Sequence, residues 1–222
     1  MPGKSRNSKI AIDGPAGAGK SSVTKEVARR LNLRYLDTGA MYRAITLKLI
    51  QENVDITDQK LIAEILKNTN IKFNEQEEIF LDGKPVAAEI RSSAVNQLVS
   101  PVSAIPMVRR RLVEMQQAIA KESKGIVMEG RDIASIVMPD ADYKIYLDAS
   151  IEERARRRRK EQLEKGIEMT ELEVIAEIKN RDLIDSGRED SPLTRVQDAV
   201  VIDTTDLAFD EVVDKITGLV NN

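Results

Sequence analysis

The sequence predicts an α/β fold: a doubly wound parallel five-stranded sheet with a small α+β insertion and a helical lid. Three observations point there. Short apolar runs recur as KIAID at 9–13, LRYLD at 33–37, IVME at 126–129, YKIYLD at 143–148 and AVVID at 199–203. Strands buried on both faces of a parallel sheet read as continuous apolar runs of this kind, and helix-period patterns separate most of them. A glycine-rich loop, GPAGAGKSS at 14–22, stands between the first run and the first helical pattern. Ligands of open α/β sheets bind at the carboxyl ends of strands, and this loop falls at one of them.

Taken in order, the first helix is expected over about 20–32, opening directly from the loop. Residues 55–97 break the strand–helix rhythm. A helix-like DQKLIAEILKN is followed there by IKFN, EIFLDGKPV and AAEIRSS, with Asp82-Gly83 suited to a tight hairpin turn. That stretch is the predicted insertion. A helix over 106–123 places Pro106 in its first turn and carries a stripe of Val108, Leu112, Met115 and Ile119. Ser150 and Glu153 form a capping-box pattern ahead of the charged lid segment, 154–166. In the last helix Phe209, Val212, Val213, Ile216, Leu219 and Val220 form the expected buried face. Residues 1–8 read as a flexible tail and 9–222 as a single domain.

Composition narrows the chemistry. The chain has 222 residues, 41% hydrophobic and 32% charged, which describes a globular protein. Its apolar runs fall short of the ~18 residues of a membrane-spanning helix. The basic, polar start lacks the apolar core of a secretory signal, so a cytoplasmic monomer away from membranes is expected. A net charge of −3 argues against a broad nucleic-acid footprint. There is no cysteine and no histidine. Disulfides, thiol nucleophiles, imidazole bases and the usual zinc ligand sets are thereby excluded.

The loop matches G-x-x-x-x-G-K-[ST] as Gly14, Gly19, Lys20 and Ser21, with Pro15, Ala16, Gly17 and Ala18 between the glycines and Ser22 following. Backbone amides and the positive end of a helix dipole converge on such a loop and favour a polyphosphate. Lys20 is positioned for the β and γ phosphates, and the Ser21 hydroxyl for Mg²⁺. Neither an N-K-x-D nor a D-x-x-G motif accompanies it, which counts against a GTPase. Arginines instead follow predicted strands in LDTGAMYR, EGRD and RARRRRK. Phosphoryl transfer suits that inventory, because its catalysis is mainly positioning and electrostatics. A phosphate acceptor is already ionised near neutral pH and needs no general base. A second carboxylate for the metal is left open among Glu129, Asp148 and Asp203, each ending an apolar run.

The set IDGPAGAGKSS, YLDTGAMYR, EIRSS, VMEGRDI, YLDAS-x-x-x-RA-x-R and EI-x-x-RD-x-x-D-x-x-R resembles the bacterial cytidylate kinases over essentially the whole chain after its first eight residues. The resemblance implies transfer from ATP to CMP or dCMP with Mg²⁺. It implies that Thr38, read as a helix cap, and Arg43 hold the acceptor phosphate, and that Arg131 bridges the transferring and accepting groups. Asp132, Arg109 and Ser100 are the candidates for reading the base, where a carboxylate would accept from the cytosine amine. Only the resemblance selects Arg109 from the run Arg109-Arg110-Arg111. Arg181 and Asp185 are implied at the sugar and Arg188 at the phosphate, spaced to share one helical face unless Ser186-Gly187 ends the helix first. A surface salt bridge between Arg181 and Asp185 is the plainer reading. Of the arginines at 156–159, Arg156 and Arg159 share a face and are the expected lid contacts to ATP. The competing functions are another small-molecule kinase, of UMP or shikimate type, and a nucleotide-dependent nucleic-acid-binding module.

Overall fold

The computed structural model describes residues 7–164 and 166–221. In chain order the elements are β1 (Lys9–Asp13), α1 (Lys20–Leu31), β2 (Arg34–Asp37), α2 (Thr38–Gln51), α3 (Gln59–Asn68), β3 (Ile71–Phe73), β4 (Ile79–Leu81) and β5 (Lys84–Pro85). They continue with α4 (Ser93–Ala104), α5 (Pro106–Glu122), β6 (Ile126–Gly130), β7 (Tyr143–Asp148), α6 (Ile151–Leu163), α7 (Glu171–Gly187), β8 (Val200–Asp203) and α8 (Phe209–Asn221). Two compact units result, one from the two ends of the chain, through Leu36 and from Ile119 onward, the other from Asp37–Ala118.

The first unit contains the expected five-stranded sheet, in the order β2-β6-β1-β7-β8. β1 lies parallel between β6, with Ile12 opposite Glu129, and β7, with Ile12 opposite Ile145. Ile10 and Ile12 of β1 join Val23, Val27 and Leu31 of α1 and Val213, Ile216 and Val220 of α8 in one core. Each such side chain contributes roughly 1.5–3 kcal/mol by leaving water. A smaller cluster of Ala155, Val174 and Ile178 joins α6 to α7. Among the described residues no helix is long and apolar enough to cross a membrane.

Several local expectations change. In α8, Phe209 and Leu219 stay largely exposed, so the buried face narrows to Val212, Val213, Ile216 and Val220. In α5 the deeply buried line passes through Val108, Leu112, Gln116 and Ala120, while Met115 and Ile119 are only half-buried. At the start of α6 the Ser150 hydroxyl accepts from the Glu153 amide, but the Glu153 carboxylate is taken by Arg156 and Arg157, leaving half a capping box. A complete box forms instead at Thr170 and Glu173, opening α7. Residues 1–6 of the expected tail, 1–8, lie outside the described residues. Ser8, its last member, is buried and its carbonyl accepts from the Ile126 amide.

The second unit reaches beyond 55–97 on both sides, taking in α2, α4 and most of α5. Its antiparallel sheet runs β3-β4-β5, and the β4–β5 turn carries Asp82 at φ 50° and Gly83 at φ 82°. Two successive positive φ values are the mirror-image turn that matches strand twist, which is why Asp-Gly stands there. At the start of α2 the cap is Asp37, whose carboxylate accepts from the Ala40 amide at 3.0 Å. Thr38, expected as the cap, is the first helical residue.

One buried carboxylate ties the sheet to the segment that follows β6. Asp13, at the end of β1, accepts from the amides of Ile133 (2.9 Å) and Ala134 (2.8 Å), which open a wide turn at Ile133–Val137. Burial outweighs these two hydrogen bonds and pushes the Asp13 carboxyl up to about 6. The unfolded carboxyl ionises first, so the stability Asp13 confers is fully present below about pH 4 and is lost as pH rises toward 6. Urea titrations from pH 4 to 7 should therefore show wild-type stability falling relative to Asp13→Asn by up to about 1.4 kcal/mol per pH unit in that window. Parallel pH profiles for the two proteins would contradict this account.

Candidate active site

The loop of residues 14–22 leaves β1 and turns directly into α1. A Cβ on Gly14 would fall inside the contact distance of the Leu147 carbonyl oxygen on β7, so only glycine lets the chain pass there. Lys20, the first residue of α1, is buried, and its Nζ donates to the carbonyls of Gly14 (2.8 Å) and Pro15 (2.7 Å). Burial, reinforced by the Arg131 charge, holds the Lys20 ammonium well below its ordinary pKa. Glu129 and Asp13 already favour its charged form, and an arriving polyphosphate would add to them.

Three carboxylates order the surrounding donors. Glu129, buried at the end of β6, accepts from the Ser21 hydroxyl through Oε2 (2.9 Å) and from the Tyr35 hydroxyl through Oε1 (2.5 Å). Asp182 on α7 accepts from the Ala16 amide through Oδ1 (3.1 Å) and from Arg154 Nη1 through Oδ2 (2.5 Å). Arg154 also donates to the Ala16 carbonyl (3.0 Å). The first turn of α6 and the middle of α7 thus grip the loop from outside. Asp185, one helical turn on, accepts from Arg131 Nε at 2.8 Å and from Arg188 Nη1 at 3.2 Å. Burial would raise the Asp185 pKa, but Arg131, Arg181 and Arg188 together outweigh it and hold the carboxyl below its ordinary range.

Six of the predicted residues of this unit are brought together. Lys20, Ser21, Arg131, Arg181, Asp185 and Arg188 form one electrostatically linked set. Arg188 lies just past the end of α7 in extended conformation, so it reaches Asp185 from the chain after the helix rather than from a shared helical face. Asp132 is buried, and its carbonyl accepts from the amides of Ile136 and Val137. Of the lid arginines, Arg156 is bidentate to Glu153 and exposed, and Arg159 donates to the Met169 carbonyl. The α6 face that meets the loop carries Arg154 and Arg157. A Cβ on Gly19 would lie 3.5 Å from Arg157 Nη1, and Arg157 clasps the Thr204 hydroxyl (2.9 Å) and carbonyl (2.6 Å) after β8.

In the second unit Arg43 extends from α2 to the Asn96 side chain (2.6 Å) and the Ile90 carbonyl (3.2 Å). Arg109 is 1% exposed, donates to the Ser103 carbonyl at 3.2 Å and stacks 5.2 Å from the Tyr42 ring centre. Its neighbours Arg110 and Arg111 face water, so burial distinguishes the first arginine of the run. Ser100 is half-buried on α4, and its carbonyl accepts from the Ser103 hydroxyl.

The motifs quoted from the sequence contain Arg154, Arg157, Asp182 and Tyr35 but gave these residues no role. Their partners are the Ala16 peptide, Thr204, Arg154 and Glu129, distant in the chain, and no local pattern announces such pairs. For the metal, the described residues hold no cluster of three or more carboxylates. Mg²⁺ commonly takes one or two protein oxygens and completes its shell with phosphate and water, and the Ser21–Glu129 pair fits that habit.

The profile of the cytidylate kinase family matches residues 10–222. The chain belongs to the cytidylate kinase family. It is 53% identical over 208 residues to the cytidylate kinase of Caldanaerobacter subterraneus, covering 94% of this chain and 92% of that protein. It is 51% identical over 210 residues to the cytidylate kinase of Alkaliphilus oremlandii, covering 95% and 96%. Among solved structures, the shikimate kinase of Bacteroides thetaiotaomicron shares the fold, with a TM-score of 0.50 and 14% identity over 97% of this chain and 99% of that one. The cytidylate kinase profile therefore takes in both units, the loop and the paired arginines alike.

Two substitutions probe this geometry. Lys20→Ala should lower turnover by at least about 100-fold in a coupled ADP-release assay, since the buried cation facing the loop disappears. Wild-type turnover would remove Lys20 from the chemistry. Asp182→Ala leaves the Ala16 amide and Arg154 without their shared acceptor, and should weaken ADP binding about tenfold by calorimetry. Unchanged affinity would show that α7 does not hold the loop in its binding shape.

Proposed function

We propose that the chain transfers the γ-phosphoryl group of ATP to CMP and dCMP, giving ADP and CDP or dCDP. The observation that carries this reading is Asp185 holding Arg131 and Arg188 in the same unit as the Lys20 loop. Two anionic nucleotides repel, and preordered guanidinium groups offset that repulsion while spreading transition-state charge over the phosphoryl oxygens.

The amides of residues 14–22 and Lys20 bind the donor's phosphates, Lys20 exchanging its two carbonyl acceptors for phosphate oxygens. An oxygen of the acceptor's phosphate attacks the γ-phosphorus. The bond from that phosphorus to the β–γ bridging oxygen breaks, and ADP leaves with the electron pair. The second ionisation of a phosphate monoester lies near pH 6, so the attacking oxygen carries no proton at pH 7. No histidine or cysteine is needed. Arg131 and Arg188 draw the reacting groups together, and the charge on Arg131 survives burial because Asp185 lies against it. Ser21, with Glu129 behind it, would hold Mg²⁺, which when bound would supply neutralisation of the donor's phosphate charge. In the second unit, Thr38 and Arg43 bind the acceptor's phosphate, and Ser100 and Arg109 its base. In the first, Asp132 accepts from the exocyclic amine, and Arg181 and Asp185 address the sugar. Arg156 and Arg159 are the proposed outer lid contacts to ATP, with Arg154 and Arg157 nearer the loop.

A panel of acceptors with ATP and Mg²⁺ tests the reading. CMP and dCMP should give the highest catalytic efficiencies, and UMP or shikimate overtaking them would overturn it. Asp132→Asn replaces an acceptor-only group by an amide and should reduce the CMP-over-UMP ratio of kcat/KM by about tenfold or more. A ratio equal to wild type would take Asp132 out of base recognition.

A further inference from the structure

The Ser21–Glu129–Tyr35 chain contains a residue with no role in the mechanism above. Tyr35 lies on β2, next to β6 in the sheet. Its ring packs against the core formed with α1 and α8, so the hydroxyl is carried to a defined place by apolar contacts. From there it donates to Oε1 of Glu129 at 2.5 Å. The other carboxylate oxygen, Oε2, accepts the Ser21 hydroxyl proton at 2.9 Å. One oxygen is therefore engaged from β2 and the other from α1, which sets the plane of the carboxylate. Glu129 is 3% exposed whereas Ser21 faces water, so the carboxylate lies behind the hydroxyl as its support.

A serine hydroxyl has one proton and two lone pairs. With its proton directed at Glu129, the lone pairs of Ser21 are turned away from the carboxylate and toward a cation. A free Glu129 side chain could rotate and release that proton, leaving the hydroxyl to reorient. We propose that Tyr35 is a positioning residue for the divalent cation: by anchoring Oε1 of Glu129 it fixes the orientation of Ser21, and so sets how strongly Mg²⁺ is held beside the nucleotide. This rests on the kinase reading, in which Ser21 is the protein's hydroxyl ligand. Residues behind a metal ligand commonly change metal affinity 10- to 100-fold when lost.

Tyr35→Phe keeps the ring and its packing and removes only the hydroxyl. Calorimetric ADP affinities, with Mg²⁺ at a concentration that saturates wild type and again with EDTA, separate the possibilities. Wild type should bind ADP more tightly with Mg²⁺. In Tyr35→Phe that Mg²⁺-dependent gain should shrink about tenfold in a Mg²⁺ titration at fixed ADP, while affinity in EDTA stays at the wild-type value. Glu129→Gln should reduce the gain as well, and adding Tyr35→Phe to it should produce no further loss, because the two act through one path. An equal Mg²⁺ gain in wild type and Tyr35→Phe would overturn the proposal while leaving the kinase reading intact. A loss of equal size in EDTA would also overturn it, as the mark of general loosening. If wild type itself shows no Mg²⁺ gain, both the cation assignment and the proposal fail.

Discussion

A surface built to receive phosphate must hold many cations close together before any phosphate arrives, and like charges in a poorly hydrated space repel. At ~4 Å two unit charges interact by about 4 kcal/mol even at an effective dielectric near 20. The first unit meets this with carboxylates that each serve two donors. Asp185 joins Arg131 to Arg188, Asp182 joins Arg154 to the loop amide of Ala16, and Glu129 joins Ser21 to Tyr35. Buried ion pairs of this kind do little for net stability, because desolvation offsets most of the attraction. What the carboxylates confer here is a fixed geometry of donors, among them the guanidinium groups of Arg131, Arg154 and Arg188.

The sheet supplies the frame for that geometry. β1 runs between β6 and β7, so the glycine loop, the Gly130–Asp132 turn and the start of α6 all emerge at the same strand ends. Asp13 closes the arrangement by binding two amides of the segment after β6. The same residue raises the energetic stakes, since its carboxyl is buried beside Lys20 and pushed to about 6. Structural and binding roles are therefore coupled in one small volume.

The second unit carries its candidate arginines on helices. Arg43 of α2 contacts the Asn96 side chain and the Ile90 carbonyl, and Arg109 of α5 contacts the Ser103 carbonyl and the Tyr42 ring. Elsewhere in this unit Arg91 pairs with Asp37 and Arg111 with Glu114. Such contacts fix where each guanidinium points before any ligand arrives.

Much of this protein follows from sequence because its signals are local. Strand runs, the spacing of Gly14, Gly19, Lys20 and Ser21, the Asp82-Gly83 turn and the early end of α7 at Gly187 depend on neighbours a few residues away, where backbone preference and periodicity act directly. Local patterns also misled where two partners compete for one side chain. Glu153 fits a capping box, yet two arginines of its own helix claim its carboxylate. Phe209 and Leu219 fit a helical stripe, yet both stay exposed while Val212, Val213, Ile216 and Val220 are buried. Tertiary structure alone decided which arginines are held at the loop, which of Arg109, Arg110 and Arg111 is buried, and that Glu129 rather than Asp148 or Asp203 stands behind Ser21. Those choices depend on pairs separated by tens to more than a hundred residues. Their energies come from burial and charge in three dimensions, which chain spacing does not encode.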